Sequence, residues 1–169
     1  MDNAIYIGLG GNLPHPRYGT AKATLEAALV ALTGQAIRLC RVSPWYRTAP
    51  VPASDQPWYF NAVAEVSTDL QADRLLAELH AVEEAFGRVR SILNAPRLID
   101  LDLLDFRGEI SPGGPGRAVL PHPRLASRAF VVRPLADLAP DWRHPLTGAS
   151  IQALVAALPT DQIIERLAF

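Results

Sequence analysis

Apolar and polar positions along the first part of the chain predict a strand, a turn and a helix. Residues 4–9 form a short apolar run of β-prone side chains, which favours a buried strand. The run leads into the glycine cluster of residues 8–12 (Gly-Leu-Gly-Gly-Asn), which predicts a tight turn. Residues 20–32 carry Ala and Leu at helical spacing and are followed by Gly34, so this segment predicts a helix.

The middle of the chain shows strand-like and helix-like patterns in turn. A β-prone stretch is interrupted at Ser43-Pro44. In the next strand pattern, Asn61 falls on the face opposite to Phe60 and Ala62, because successive side chains of a strand alternate. The predicted elements of this part are strands at residues 37–48, Tyr59–Thr68 and 98–106, a helix at residues 72–86, and an irregular loop at residues 49–57.

The order of these elements is strand, helix, strand, strand, helix, strand. This order is typical of the split βαβ, ferredoxin-like fold, so we predict an α/β (α+β) sandwich with a four-stranded antiparallel sheet and helices on one face. No linker separates the remaining third, and we predict a single domain over residues 1–169 with a C-terminal elaboration. The elaboration is expected to contain a Pro/Gly-rich loop at residues 111–116, a partly helical stretch at residues 122–140, a helix at residues 150–158 and an edge strand at residues 163–167.

Composition narrows the classes of partner that the chain can have. Apolar residues make up 49% of the chain and charged residues 20%, which is usual for a soluble globular protein. The net charge of −1 provides no general basic field, so we expect no nucleic-acid partner. No apolar stretch reaches the roughly 20 residues of a membrane helix, and the N-terminus lacks a signal-peptide pattern. We therefore expect a cytoplasmic protein with no membrane partner, and a monomer is the default expectation.

Two acidic residues on one predicted strand are the main candidate for chemistry. Along residues 98–106, alternation places Asp100 and Asp102 on the same face, with Cα atoms roughly 6–7 Å apart. Two ionised carboxylates at that distance repel each other, and a divalent metal ion removes the conflict. Carboxylate oxygens with water and phosphate are the usual Mg²⁺ ligands. The alternative interpretation is an exposed strand face with two solvated aspartates.

A loop with three arginines precedes this strand. Arg88, Arg90 and Arg97 lie between the second predicted helix and the aspartate pair. Guanidinium groups match phosphate oxygens in pairs and stay charged at any useful pH. Arginines beside paired carboxylates therefore predict a site for a metal-bound triphosphate, although the chain has no P-loop motif. The alternative is a solvated, charged loop.

Several short motifs, read together, resemble a known family of enzymes. The motifs are, in chain order, Gly10-Gly11-Asn12-Leu13, Tyr46-Arg47-Thr48, Asp55-Gln56-Pro57, Tyr59-Phe60-Asn61-Ala62, Gly87-Arg88-Val89-Arg90, Pro96-Arg97, Asp100-Leu101-Asp102 and Pro121-His122. With them the chain resembles the 6-hydroxymethyl-7,8-dihydropterin pyrophosphokinases of folate biosynthesis, and the resemblance covers nearly its whole length.

The resemblance implies the fold predicted above and a role for each matching position. It implies transfer of a diphosphate group from ATP to the pterin alcohol, with two Mg²⁺ ions held by Asp100 and Asp102. The implied catalytic residues are Arg88, Arg97, Asp100 and Asp102. The implied nucleotide contacts are Glu83, Arg88, Arg90, Arg97, Leu103, His122 and Arg128. The implied pterin contacts are Thr48, Val51, Tyr59, Asn61 and Phe130.

The chain also departs from the family pattern in its loops. Residues 91–95 replace a stretch that in the family is one residue longer and carries a further arginine and a tryptophan. Pro123 follows His122 where the family often has an aromatic residue, and Ala49 stands where it has a proline. These departures concern nucleotide packing and loop closure. They leave the expected metal site unchanged.

Two other functions are compatible with the predicted fold. A palm-like nucleotidyl transferase also combines such a sheet with paired aspartates and two metal ions, but it needs a basic nucleic-acid channel. An RNA-binding or small-ligand regulatory module would expose aromatic side chains where this chain has Asp100 and Asp102. Fold alone does not choose among these functions.

Overall fold

A computed structural model describes residues 3–50, 52–87 and 98–168 of the chain. Its strands are β1 (Ile5–Gly11), β2 (Ile37–Val42), β3 (Tyr46–Thr48), β4 (Tyr59–Thr68), β5 (Asp100–Phe106), β6 (Ser111–Gly114), β7 (Arg117–Leu120) and β8 (Ile164–Arg166). Its helices are α1 (Ala21–Leu32), α2 (Ala72–Ala85), α3 (Ala129–Leu138) and α4 (Ile151–Ala156), with a 3₁₀ turn at Leu125–Ser127. No helix in these described ranges is long and apolar enough to cross a bilayer.

The main sheet has the strand arrangement of a ferredoxin-like fold. Its order is β5-β1-β4-β3-β8, and β2 pairs with the end of β4 that β3 leaves open. All these pairs are antiparallel. Strands β2 and β3 are thus the two halves of one predicted strand, and the break lies at Ser43-Pro44 as the sequence predicts. The predicted fold class is confirmed.

The sheet carries helices on both faces. One face packs against α1 and α2 around buried residues such as Ile7, Leu25 and Leu75. The other face packs against α3, where Val63 and Leu135 are fully buried. The helices predicted on one face are α1 and α2. Helix α3 belongs to the C-terminal elaboration, for which the sequence predicted no face, and it covers the other side. Strands that carry apolar side chains on both faces must be covered twice.

The glycine cluster near the N-terminus is a strand, not the predicted turn. Strand β1 extends to Gly11, and Gly8 and Gly10 pair with β4 on one side and β5 on the other. Glycine is unfavourable in a strand interior unless something must approach the backbone closely. Because Gly8 and Gly10 have no side chains, they leave space on the sheet face that α3 covers nearer the start of β1.

The Pro/Gly-rich segment at residues 111–116 also differs from its prediction as a loop. It contributes β6 and the turn into β7, and the two strands form a separate antiparallel pair. Gly113, Gly114 and Gly116 have positive φ angles of 82°, 138° and 70°, which other residues rarely adopt. Glycine at these three positions therefore allows the backbone to turn from β6 into β7.

An irregularity in β5 changes the direction of one acidic side chain. The register between β1 and β5 shifts between Tyr6 and Ile7, so that Leu104 is an extra residue in β5. Leu104 and Asp105 consequently both face α3. Asp105 is buried, and it accepts hydrogen bonds from Nε1 of Trp142 at 2.8 Å and from the backbone N of Gly108 at 3.0 Å.

Candidate active site at the open end of the sheet

The sheet face that packs against α3 becomes polar near the N-terminal end of that helix. In the register of the sheet, Gly10 lies between Asn61 of β4 and Asp100 of β5, and Gly8 lies between Val63 and Asp102. The two glycines have no side chains, so a trough runs along β1 between the amide and the carboxylates. A cavity of about 490 Å³ occupies this region.

Asn61 is fixed on one side of the trough. It is buried, and its Oδ1 accepts a hydrogen bond from Oγ1 of Thr48 at 2.8 Å. Its Nδ2 donates to the carbonyl of Leu9 at 3.5 Å. A Cβ atom on Gly10 would lie 2.9 Å from this Nδ2, closer than real Cβ contacts allow. An amide can make four hydrogen bonds, so Asn61 retains capacity for a ligand in the trough.

Aromatic side chains line the same cavity. Tyr59 precedes Asn61 on β4, and Phe130 lies in the first turn of α3. The guanidinium carbon of Arg128 lies 5.4 Å from the centre of the Phe130 ring. Flat rings beside an amide are suited to a planar heterocycle with polar edges.

The two aspartates lie where two cavities meet. Asp100 and Asp102 line the larger cavity and also a second cavity of about 300 Å³. The second cavity lies between α2, β5 and the β6–β7 hairpin, and Glu83, Leu103 and His122 are among its lining residues. The carboxylates can therefore contact one molecule in each cavity.

A cation and an imidazole stand beside Asp102. Nη1 of Arg128 lies 3.4 Å from Oδ2 of Asp102, and Nε2 of His122 lies 3.9 Å from Oδ1. Burial lowers the pKa of His122 to about 4, and Arg128 adds to this shift while Asp100 opposes it. Nδ1 of His122 accepts from the backbone N of Arg124 at 3.1 Å. His122 is thus neutral at pH 7 and carries its proton on Nε2, facing the site.

Glu83 supports the strand that carries the aspartates. Its side chain is buried, and Oε2 accepts a hydrogen bond from the backbone N of Leu101 at 2.9 Å. Leu101 lies between the two aspartates, and α2 is thereby attached to β5 at the site itself.

The structure brings together the predicted site residues that it describes. Val51, Arg88, Arg90 and Arg97 lie outside the described residues. The smaller cavity is lined by Glu83, Leu103 and His122, and the larger one by Thr48, Tyr59, Asn61, Arg128 and Phe130, with Asp100 and Asp102 shared.

Sequence reasoning missed several residues that line the two cavities. They are Leu76, His80, Arg117, Ala118 and Val119 in the smaller cavity and Arg124, Ser127, Val131, Pro159, Asp161 and Gln162 in the larger. Helical spacing places Leu76 and His80 on the same face of α2 as Glu83, and this signal could have identified them. The lining residues from the β6–β7 hairpin and from residues 159–162 show no local sequence pattern that would predict a cavity.

The aspartate pair has a donor set that fits Mg²⁺. No group of three or more His, Cys, Asp or Glu side chains able to hold a metal occurs within residues 3–50, 52–87 and 98–168. A closed, all-protein cage is thus absent from this part of the chain. Mg²⁺ commonly uses one or two carboxylates, several waters and the phosphates of a substrate. Asp100 and Asp102, open to cavities on both sides, meet that requirement.

Comparison with known sequences matches the chain to a family of enzymes. A family model described as 7,8-dihydro-6-hydroxymethylpterin-pyrophosphokinase matches residues 6–140. A 2-amino-4-hydroxy-6-hydroxymethyldihydropteridine pyrophosphokinase of Pseudomonas aeruginosa is 43% identical over 168 residues, covering 99% of this chain and 98% of that protein. The folic acid synthesis protein fol1 of Pneumocystis carinii is 38% identical over 152 residues, which cover 89% of this chain and 20% of fol1. The chain therefore spans about one fifth of that relative.

Solved structures agree on the fold. A crystal structure of HPPK-DHPS in complex with substrates has a TM-score of 0.67 at 14% identity, covering 93% of this chain and 43% of that one. Wild-type Plasmodium falciparum HPPK-DHPS with SDX-DHP has a TM-score of 0.66 at 13% identity, covering 91% of this chain and 44% of that one. The chain thus spans less than half of these two-part proteins, and the likeness concerns the fold.

Proposed function

Because the chain belongs to the 7,8-dihydro-6-hydroxymethylpterin-pyrophosphokinase family, we propose that it transfers the diphosphate group of ATP to the hydroxymethyl group of 6-hydroxymethyl-7,8-dihydropterin. The products are AMP and the pterin diphosphate, a step of folate biosynthesis. One observation supports this function most directly: Asp100 and Asp102 face two adjoining cavities, one beside an amide and aromatic rings and the other beside His122.

The larger cavity is the proposed pterin site. Asn61 binds the polar edge of the ring through the hydrogen-bonding capacity that Thr48 and Leu9 leave over. Tyr59 and Phe130 form the walls on either side of the ring. Val51, which lies outside the described residues, belongs to the same proposed site.

The smaller cavity is the proposed nucleotide site. Leu103 and Glu83 contact the nucleoside, and His122 donates from Nε2 to a phosphate oxygen. Arg128 approaches the phosphates from the pterin side, where it already neutralises part of the charge of Asp102. The proposal also assigns phosphate contacts to Arg88, Arg90 and Arg97, which lie outside the described residues.

The residues of the chain contribute mainly position and charge. Asp100 and Asp102 would hold two Mg²⁺ ions, which supply charge neutralisation of the triphosphate and acidify the attacking hydroxyl. Asn61 and the aromatic walls orient the hydroxymethyl oxygen toward the β-phosphorus, and the bond from that phosphorus to the AMP oxygen breaks. His122, whose pKa is about 4 and whose Nε2 already carries a proton, acts as a donor and not as a base.

An assay of products tests the proposed function directly. The purified chain is incubated with ATP, Mg²⁺ and 6-hydroxymethyl-7,8-dihydropterin, and the nucleotides and pterins are separated. We expect AMP and pterin diphosphate in equal amounts, and no AMP when the pterin is left out. Formation of ADP would indicate transfer of a single phosphate and would contradict the proposal. Release of free diphosphate, with the AMP group retained on an acceptor, would instead indicate the nucleotidyl transferase.

The close approach of Gly10 to Asn61 leads to a prediction about pterin affinity. Replacing Gly10 by alanine should raise the Kd for the pterin by about tenfold, because the new methyl group displaces the Asn61 amide. Gly8→Ala is the matched variant, since the three atoms nearest to its Cβ would all belong to the Leu104 side chain, at 3.4–3.6 Å. It should cause a smaller loss. Titration of pterin fluorescence measures both, and equal losses would contradict the proposed role of Asn61.

Three further expectations from the sequence stay predictions. They are a cytoplasmic location, a monomeric state and a single domain over residues 1–169. The presence of two metal ions, as opposed to one, belongs with the proposal as well. Equilibrium dialysis of Mg²⁺ in the presence of a non-hydrolysable ATP analogue counts the ions.

A further inference from the structure

One side chain connects the C-terminal segment to the start of α3. Oε1 of Gln162 accepts a hydrogen bond from the backbone N of Ala129 at 2.8 Å. Nε2 of the same amide donates to the carbonyl of Ser127, also at 2.8 Å. These backbone groups lie on either side of Arg128, whose own side chain makes no capping hydrogen bond at the start of the helix. Gln162 thus supplies, from a distant part of the chain, a cap that the helix lacks locally.

The backbone that Gln162 holds carries Phe130, a wall of the proposed pterin site, and Arg128, which lines the same cavity and approaches the phosphates from it. Arg128 reaches Oδ2 of Asp102 at 3.4 Å, and Phe130 forms part of the cavity wall. Arg128 has an extended backbone, with φ −106° and ψ 112°, between the 3₁₀ turn and α3. Its direction depends on how this short junction is held. The two hydrogen bonds from Gln162 act on the residues immediately before and after it.

The same C-terminal segment is attached to the opposite wall of the cavity. The carbonyl of Ile163 accepts a hydrogen bond from the backbone N of Ala49 at 3.1 Å. In the pairing of β8 with β3, Ile164 lies opposite Thr48. Thr48 in turn orients Asn61 through the hydrogen bond at 2.8 Å. Three consecutive residues, 162 to 164, therefore join the aromatic and arginine wall to the amide wall.

We propose that Gln162 is a positioning residue for the pterin site, which it serves by fixing the spacing between the α3 wall and the β3 wall. This inference rests on the proposed function and adds to it a residue that does not itself react. Gln162 also lines the larger cavity together with Asp161 and Pro159, so a change in this segment alters the volume available to the pterin. The smaller, nucleotide-side cavity has no lining residue from this segment.

Steady-state kinetics with three variants tests the role of Gln162. Gln162→Ala should raise KM for 6-hydroxymethyl-7,8-dihydropterin by about tenfold, because two hydrogen bonds no longer hold the wall. KM for ATP should rise by a smaller factor under the same conditions, because Phe130 contacts the pterin alone, whereas Arg128 also approaches the phosphates. Gln162→Glu keeps the shape and an acceptor for Ala129, but it sets a carboxylate oxygen against the carbonyl of Ser127, so the rise in KM for the pterin should remain.

Gln152→Ala is the control variant, because Gln152 also joins two parts of the chain through its side chain but lies away from the proposed site. Gln152 lies on α4 and donates to the carbonyl of Pro140. Its replacement should leave both KM values unchanged, and melting temperatures of all variants show whether folding is affected. Unchanged pterin KM in Gln162→Ala would overturn the inference, as would equal rises in KM for both substrates. If the unaltered chain forms no AMP, the proposed function fails first, and that result is separate from any effect of Gln162.

Discussion

Replacing Asp102 by alanine should lower kcat by about three orders of magnitude while the protein keeps its fold. Asp102 is partly exposed to both cavities and stands beside Arg128 and His122. Removing its carboxylate takes away a proposed metal ligand and the negative charge that lies 3.4 Å from Nη1 of Arg128. The side chain is only partly buried, so the free energy of unfolding should change little. Quenched time courses of AMP formation at saturating Mg²⁺ and saturating substrates give kcat, and urea denaturation gives the free energy of unfolding.

Asp105→Asn is the matched control for the loss of Asp102. Asp105 lies on the same strand and the same face, but it is buried and accepts hydrogen bonds from Trp142 and Gly108. Its substitution should lower the free energy of unfolding by about 1–3 kcal/mol, and kcat of the folded fraction should stay near that of the unaltered chain. Near-normal turnover of Asp102→Ala at saturating Mg²⁺ would remove the metal assignment.

Replacing Asn61 by alanine should raise the Kd for the pterin by about tenfold to a hundredfold and leave the Kd for ATP nearly unchanged. The substitution removes the amide that faces the trough, and it leaves the Thr48 hydroxyl without the acceptor that it has at 2.8 Å. ATP is unaffected because Asn61 lines only the larger cavity. Isothermal calorimetry with each substrate measures the two constants separately.

Thr48→Val provides a graded comparison for the Asn61 substitution. Valine has nearly the shape of threonine, but it cannot donate to Oδ1 of Asn61. The Asn61 amide is then still present but no longer held by this hydrogen bond, so the loss of pterin affinity should be smaller than in Asn61→Ala. Equal losses of pterin and ATP affinity in Asn61→Ala would contradict the assignment of the larger cavity.

The aspartate pair was accessible to sequence reasoning because a strand has a simple period. Alternation along β5 is enough to place Asp100 and Asp102 together and away from Leu101. The order of strands and helices is likewise a local pattern, and it led to the correct fold class. Asn61 followed from the same rule, since Phe60 and Ala62 pack on the other side of β4.

Other features depend on contacts between distant parts of the chain. The glycines of β1 suggest a turn when they are considered alone, and only the pairing of Gly10 with two neighbouring strands shows that they form a trough. Gln162 is an ordinary polar residue in its own segment, and its partners lie 33 and 35 residues away. Periodicity contains no information about such distances, so these residues could not be found from the sequence.

The extra residue in β5 also limits how this protein can vary in length. On the amino-terminal side of Leu104, even-numbered residues face the trough, and on the carboxyl-terminal side odd-numbered Asp105 faces α3. Deleting Leu104 would restore regular alternation along the strand, so Asp102 and Asp105 would both keep the faces that they have. The deletion would remove a fully buried side chain from the α3 face, which should lower the free energy of unfolding by about 2–5 kcal/mol. An insertion after the strand would have to keep the turn at Arg107 and Gly108, because both have positive φ and the backbone N of Gly108 donates to Oδ1 of Asp105.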